Sequence, residues 1–83
     1  MKINLRYFAS LREALGSNEA LELAAPMTLA ALRDLLIARG GKHAEVLARN
    51  RAVRCAVNQV MSAETELLTE DAEVAFFPPV TGG

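Results

Sequence analysis

Thr28-Leu29-Ala30-Ala31-Leu32-Arg33-Asp34-Leu35-Leu36-Ile37-Ala38-Arg39-Gly40-Gly41 is the most regular run in the chain. Leu29, Leu32, Leu35 and Leu36 recur at i, i+3, i+6 and i+7, the spacing of one apolar helix face. Ala30, Ala31 and Ala38 favour the helical backbone. Thr28 suits the N-cap, where its hydroxyl can accept from a backbone N–H with no partner inside the helix. Arg39 falls in the last turn, where a cation opposes the negative end of the helix dipole. Gly40-Gly41 supplies the stop. A single amphipathic helix needs a second layer to cover, so the flanking segments should form a sheet.

Those segments read as strands. Lys2 to Phe8 alternates, with Ile3, Leu5 and Tyr7 on one parity and Lys2, Asn4 and Arg6 on the other, as in a half-buried strand. Phe8 puts an aromatic on the polar parity. Ser10-Leu11-Arg12-Glu13 fits a capping box and opens a short helix that Gly16 closes with positive φ. Glu19 to Leu23 alternates again, with Leu21 and Leu23 inward, and Pro26 stops it. Past the long helix, Lys42 to Arg51 suggests a short helical turn around Val46 and Leu47. Val53, Cys55 and Val57 then mark a third strand. Asn58-Gln59 is expected to turn the chain, because Asn tolerates positive φ, and Val60-Met61 pairs back. Leu67 and Leu68 are expected as buried anchors in a loop. Glu73 to Phe77 is the last strand, ended by Pro78-Pro79.

Two strands, a crossing helix and three more strands predict an α+β fold. The expected architecture is a β-grasp: a mixed sheet of about five strands, the main helix on one face, and the last strand in the middle beside the first. Residues 1–78 would form the folded body and residues 79–83 a flexible Gly-Gly tail.

Composition narrows the function. The 83 residues are 52% hydrophobic, enough for one small core. Nine basic against ten acidic residues leave a net charge of −1, which argues against a nucleic-acid binder. No apolar run reaches the roughly 18 residues of a membrane span, and the alternating N-terminus is unlike a signal peptide, so the expected location is the cytoplasm. A single cysteine excludes an internal disulfide and any multi-cysteine zinc site. Phosphate-cradling and hydrolase motifs are missing, so the chain is not expected to be an enzyme on its own. Cys55, on the apolar parity of a strand, reads as a buried, inert thiol. His43 reads as an exposed loop residue. The acidic residues Glu64, Glu66, Glu70, Asp71 and Glu73 read as a solvated loop.

The last six residues, Pro78-Pro79-Val80-Thr81-Gly82-Gly83, stand apart. Proline fixes φ, so the Pro-Pro corner should direct the chain away from the sheet. Four further residues reach about 13 Å when extended. Glycine lacks Cβ and fits a narrow channel. The one reactive group such a tail offers is its terminal carboxylate, ionised at neutral pH. A carboxylate is a poor electrophile and must be activated, most simply as an acyl-adenylate, before it can carry cargo. The tail is therefore suited to be a substrate of other enzymes.

Phe76-Phe77-Pro78-Pro79-Val80-Thr81-Gly82-Gly83 resembles the end of the small, sulfur-carrying subunits of molybdopterin synthase. Tyr7-Phe8-Ala9 with Leu11-Arg12-Glu13, the helix from Thr28-Leu29 to Leu36, and Val57-Asn58-Gln59 resemble that family in order and spacing. Lys42 to Arg51 resembles it least. The resemblance implies a ubiquitin-like β-grasp and a non-catalytic, sulfur-donating role within a heterotetramer. It implies that an adenylating enzyme, using ATP and Mg²⁺, activates the Gly83 carboxylate, and that a sulfur donor converts it to a thiocarboxylate. The large catalytic subunit then receives the tail and the sulfur passes to cyclic pyranopterin monophosphate. In that scheme Gly83 carries sulfur, Gly82 keeps the tail slim, and Val80 and Thr81 line the channel entry. No cofactor is expected on this chain itself.

Parity adds a docking surface. If Ile3, Leu5, Val74 and Phe76 face the helix, Phe8 and Phe77 face away and sit together on the open sheet face, with Met61 nearby. Clustered exposed apolar residues mark partner surfaces. Three other readings use the same residues: a sulfur carrier for thiamine or another pathway, a ubiquitin-like modifier, and a β-grasp interaction domain with an inert tail.

Overall fold

The computed structural model describes residues 1–24 and 26–79. The strands are β1 (Lys2–Tyr7), β2 (Asn18–Glu22), β3 (Met27–Thr28), β4 (Arg54–Val57), β5 (Val60–Ser62), β6 (Leu67–Leu68) and β7 (Ala72–Phe77). The helices are α1 (Ala9–Leu15), α2 (Leu29–Ile37) and α3 (Gly41–Leu47). Five strands form one sheet in the order β2-β1-β7-β4-β5. β7 runs parallel to β1 and antiparallel to β4, and so lies in the middle of the sheet as a β-grasp requires.

Alternation along β1 translates directly into burial. Ile3, Leu5 and Tyr7 are buried while Lys2, Asn4 and Arg6 are exposed. Val74 and Phe76 join them from β7, and Leu29, Leu32 and Leu36 descend on them from α2. Each such fully buried side chain contributes about 1.5–3 kcal/mol relative to an exposed one. Tyr7 stacks on Phe76, with ring centroids 6.5 Å apart. Thr28 caps α2 as expected, its hydroxyl accepting from the Ala31 N–H at 3.1 Å. Asn58 and Gln59 both have positive φ (49° and 69°) and close the β4–β5 hairpin, in the handedness that matches strand twist. The Asn58 side-chain oxygen also accepts from the Glu73 N–H at 3.0 Å, tying that turn to β7.

Several expectations are corrected. Leu35 is 40% exposed. Six residues at 3.6 per turn carry it roughly 120° from Leu29, off the apolar stripe. Arg33, only roughly 40° from Leu29, takes the buried place and is 3% exposed. The capping box at Ser10 does not form, because α1 starts two residues earlier, at Ala9, with Phe8 as N-cap and no side-chain cap. There the Phe8 carbonyl accepts from the Leu11 and Arg12 N–H groups. Arg39 lies beyond the end of α2 and donates to Glu19 instead. His43 sits half-buried in α3 rather than in a loop. Leu68 is buried but Leu67 is 53% exposed. β6 pairs with β3 in a separate two-stranded sheet, which two-residue strands do not announce in sequence. Its approach lets the Glu66 and Glu64 carbonyls accept from the Leu29 and Ala30 N–H groups, satisfying donors that a helix start leaves open.

Candidate functional site

The site begins where β7 ends. Phe77 pairs with Arg54 of β4, and Pro78 and Pro79 carry the chain off that end of the sheet. Proline cannot donate to a further ladder bond, so pairing stops here. Val80, Thr81, Gly82 and Gly83, expected to thread and carry cargo, lie outside the described residues.

Phe8 and Phe77 are brought together. β1 and β7 are parallel with Tyr7 opposite Phe76. The Phe8 N–H donates to the Phe76 carbonyl at 3.2 Å, which continues that register to the next pair. Phe8 keeps an extended backbone (φ −127°, ψ 157°) before the chain swings into α1. The swing occurs at Ala9, whose φ of 53° is costly for a residue with a Cβ. Phe8 is thus held on the open face, 40% exposed, and Phe77 beside it is half-buried. The Arg6 guanidinium carbon lies 5.4 Å from the centre of the Phe8 ring, a cation–π contact.

Met61 shares this face at the other edge. The cross-strand row Arg6, Ala75, Ala56, Met61 runs from β1 through β7 and β4 to β5. Ala75 and Ala56 make a low, buried floor between the aromatics and Met61, which is 59% exposed. Phe8, Phe77 and Met61 therefore rim one shallow apolar surface.

Beside it, an open groove of about 670 Å³ lies where β4 begins and β5 ends. Arg33, Arg51, Arg54, Cys55, Met61, Glu64 and Pro79 are among its lining residues. Arg33 anchors its inner wall. Its guanidinium donates to the carbonyls of Leu47 (2.8 Å), Ala48 (2.7 Å) and Arg51 (3.0 Å) and to Glu64 (2.8 Å). Arg49 binds the other Glu64 oxygen at 2.5 Å and Asp34 at 2.7 Å. Burial acts to raise the Glu64 carboxyl pKa, but hydrogen bonds from Arg49 and Arg33 outweigh it, and the net direction is downward. The acidic run is therefore not simply solvated. Glu64 is bound in this cluster, Asp71 accepts from the Lys2 N–H, and Glu73 lies 3.8 Å from Arg6. Sequence periodicity held the signal for Arg33, a cation four residues from Leu29 on the apolar stripe. Nothing local marks Glu64 as its partner, 31 residues away.

Cys55 is buried, with its sulfur 3.3 Å from the Ser62 carbonyl. Burial first, then the Glu64 charge, pushes its thiol pKa up. It is held as the unreactive thiol rather than the nucleophilic thiolate. Among the described residues no group of three His, Cys, Asp or Glu side chains could hold a metal ion. None of their helices is long and apolar enough to cross a membrane.

The architecture is that of the ubiquitin-like β-grasp proteins whose last strand delivers a tail from the middle of the sheet. Residues 5–83 match the ThiS family, and the chain belongs to that family. It is 42% identical to the molybdopterin synthase sulfur carrier subunit of Escherichia coli, over 98% of this chain and 99% of that one. It is 35% identical to the subunit of the same name from Haemophilus influenzae, with the same coverage. Among solved structures it superposes on one chain of a protein–protein complex of subunits 1 and 2 of molybdopterin-converting factor from Helicobacter pylori. That match has a TM-score of 0.68 at 21% identity and covers both chains completely.

Proposed function

We propose that this chain is the sulfur-carrying small subunit of a molybdopterin synthase. Full-length identity of 42% to a sulfur carrier subunit of that enzyme carries the reading. Its folded body would be residues 1–78 and its working tail residues 79–83. An adenylating enzyme joins the Gly83 carboxylate to AMP from Mg²⁺-bound ATP, releasing pyrophosphate. Hydrosulfide supplied by a sulfur donor attacks the acyl carbon, the bond to AMP breaks and AMP leaves, and the tail ends in a thiocarboxylate. The large subunit takes the tail into its active site, where the thiocarboxylate sulfur bonds to a carbon of cyclic pyranopterin monophosphate and the carbon–oxygen bond there breaks, the oxygen leaving as phosphate or water. Hydrolysis then returns the carboxylate. Two such rounds build a dithiolene.

The described residues support this division of labour. Cys55 is buried and held protonated, so it is poorly suited to carry sulfur. The chain leaves the sheet at Pro79 close to the apolar surface of Phe8, Phe77 and Met61, which would dock first the adenylating enzyme and later the large subunit. Gly82 and Gly83 present no side chain to a narrow channel, and Val80 and Thr81 would contact its entry.

The test is reconstitution. The thiocarboxylated chain, mixed with a large subunit and cyclic pyranopterin monophosphate, is expected to yield the dithiolene product. Failure there, with successful sulfur delivery in thiamine synthesis or joining of the chain to lysines, would assign it to another ThiS-type role.

A further inference from the structure

We infer that the groove beside Pro79 is a second, electrostatic part of the docking surface, and that it receives an acidic segment of the large subunit. This rests on the function proposed above. The groove is lined by Arg33, Arg51 and Arg54 against one carboxylate, Glu64, although the chain as a whole carries a net charge of −1. Positive charge is therefore concentrated at one place on a slightly acidic molecule.

The arginines divide into two kinds. Arg33 spends its guanidinium on three backbone carbonyls and Glu64. Glu64 in turn is shared between Arg33 and Arg49, so it has little left to offer the rim. Arg51 and Arg54 are exposed, and among the described residues no carboxylate lies within 4 Å of either guanidinium. Among the described residues their outward charge is left uncompensated.

Position selects the occupant. Met61 lines the groove and also rims the apolar surface, and Arg54 pairs in register with Phe77. Pro79, the last described residue before the tail, lines the groove as well. A protein that takes the tail past Pro79 and covers Phe77 meets Arg54, which pairs with Phe77, and the groove that Arg51 and Arg54 line. Covering them without anions would leave two cations desolvated and unpaired, which is strongly unfavourable. A partner presenting Asp or Glu there gains paired charges and faster encounter.

The experiment is charge reversal in the full chain, Arg51→Glu with Arg54→Glu, and binding to the large subunit measured by stopped flow across a salt series. Both side chains are exposed, and the Arg51 carbonyl that Arg33 uses is retained, so circular dichroism should be unchanged. The expected result is an association rate reduced on the order of tenfold or more at low salt, with a flatter salt dependence. Wild-type rates and salt slope in the double variant would overturn the inference while leaving the proposed function standing. A wild-type chain that does not bind the large subunit at all would overturn both.

Discussion

The two faces of the five-stranded sheet are built from the same strands and differ by one residue of offset. On one face Ile3, Leu5, Tyr7, Val74 and Phe76 are sealed under α2. On the other, Phe8, Phe77 and Met61 stand around a floor of two alanines, with arginines at the margin. Phe76 and Phe77 are chain neighbours with opposite duties. The closed face holds the fold together, and the open face leaves apolar surface uncovered by the other described residues. Such a surface is tolerated in a small domain only if the closed face carries the stability alone.

The sharpest way to break that contrast is to truncate one aromatic from each face. Phe76→Ala should cost about 3–5 kcal/mol, enough to leave so small a domain largely unfolded, as read by urea denaturation. Phe8→Ala should change stability by about 0.5 kcal/mol or less. Equal losses would mean that Phe8 belongs to the core.

The arginines repeat the comparison at the groove. Arg33→Ala strands three carbonyls and part of Glu64, and should cost about 3 kcal/mol. Arg54→Ala, on the exposed rim, should shift the urea midpoint scarcely at all. A reversed order would show that the rim rather than the buried guanidinium secures the loops.

Binding inverts the ranking. Replacing Phe8 and Phe77 together by serine should weaken affinity for the large subunit and for the adenylating enzyme by about 2 kcal/mol or more, roughly thirtyfold. Titration calorimetry against each partner reads this. Unchanged affinity for both would remove the docking role from the open face.

The smallest effect concerns Tyr7, the one tyrosine of the chain. Burial, then the charge of Glu19, pushes its pKa up to about 12. Its neutral form is favoured in the folded state, so the stability it lends is full below its ordinary value of 10.0 and is lost as pH rises towards 12. Phenolate absorbance should therefore titrate near 12 in the folded chain. Glu19→Gln should lower that midpoint while leaving it above 10, because burial is the larger cause. A wild-type midpoint at 10 would contradict the burial of this ring.

Much of this architecture is legible in sequence because one periodicity dominates each element. β1 alternates cleanly, Thr28 caps α2, and Asn58 announces the hairpin. Reading fails where a residue answers to a distant partner. Ser10 loses the cap because Phe8 is held by Phe76 of the neighbouring strand, which forces the chain to turn at Ala9. Leu35 fits the apolar pattern by residue type, although its angle puts it outside. Arg33 falls on the apolar stripe, but its carbonyl and carboxylate partners lie 14 to 31 residues away and cannot be read locally. The aromatics of the candidate docking surface follow from strand parity, whereas the groove beside them needs α2, the ends of β4 and β5 and Pro79 brought together and leaves no local trace.

The central claim is that cargo rides on the terminal carboxylate and not on a side chain. Intact-mass analysis after incubation with ATP, Mg²⁺, the adenylating enzyme and a sulfur source tests it most directly. The account predicts a mass gain equal to one oxygen replaced by sulfur, located by fragmentation at Gly83 and retained in Cys55→Ala. Sulfur found on Cys55, or full charging of a chain lacking Gly82 and Gly83, would contradict it.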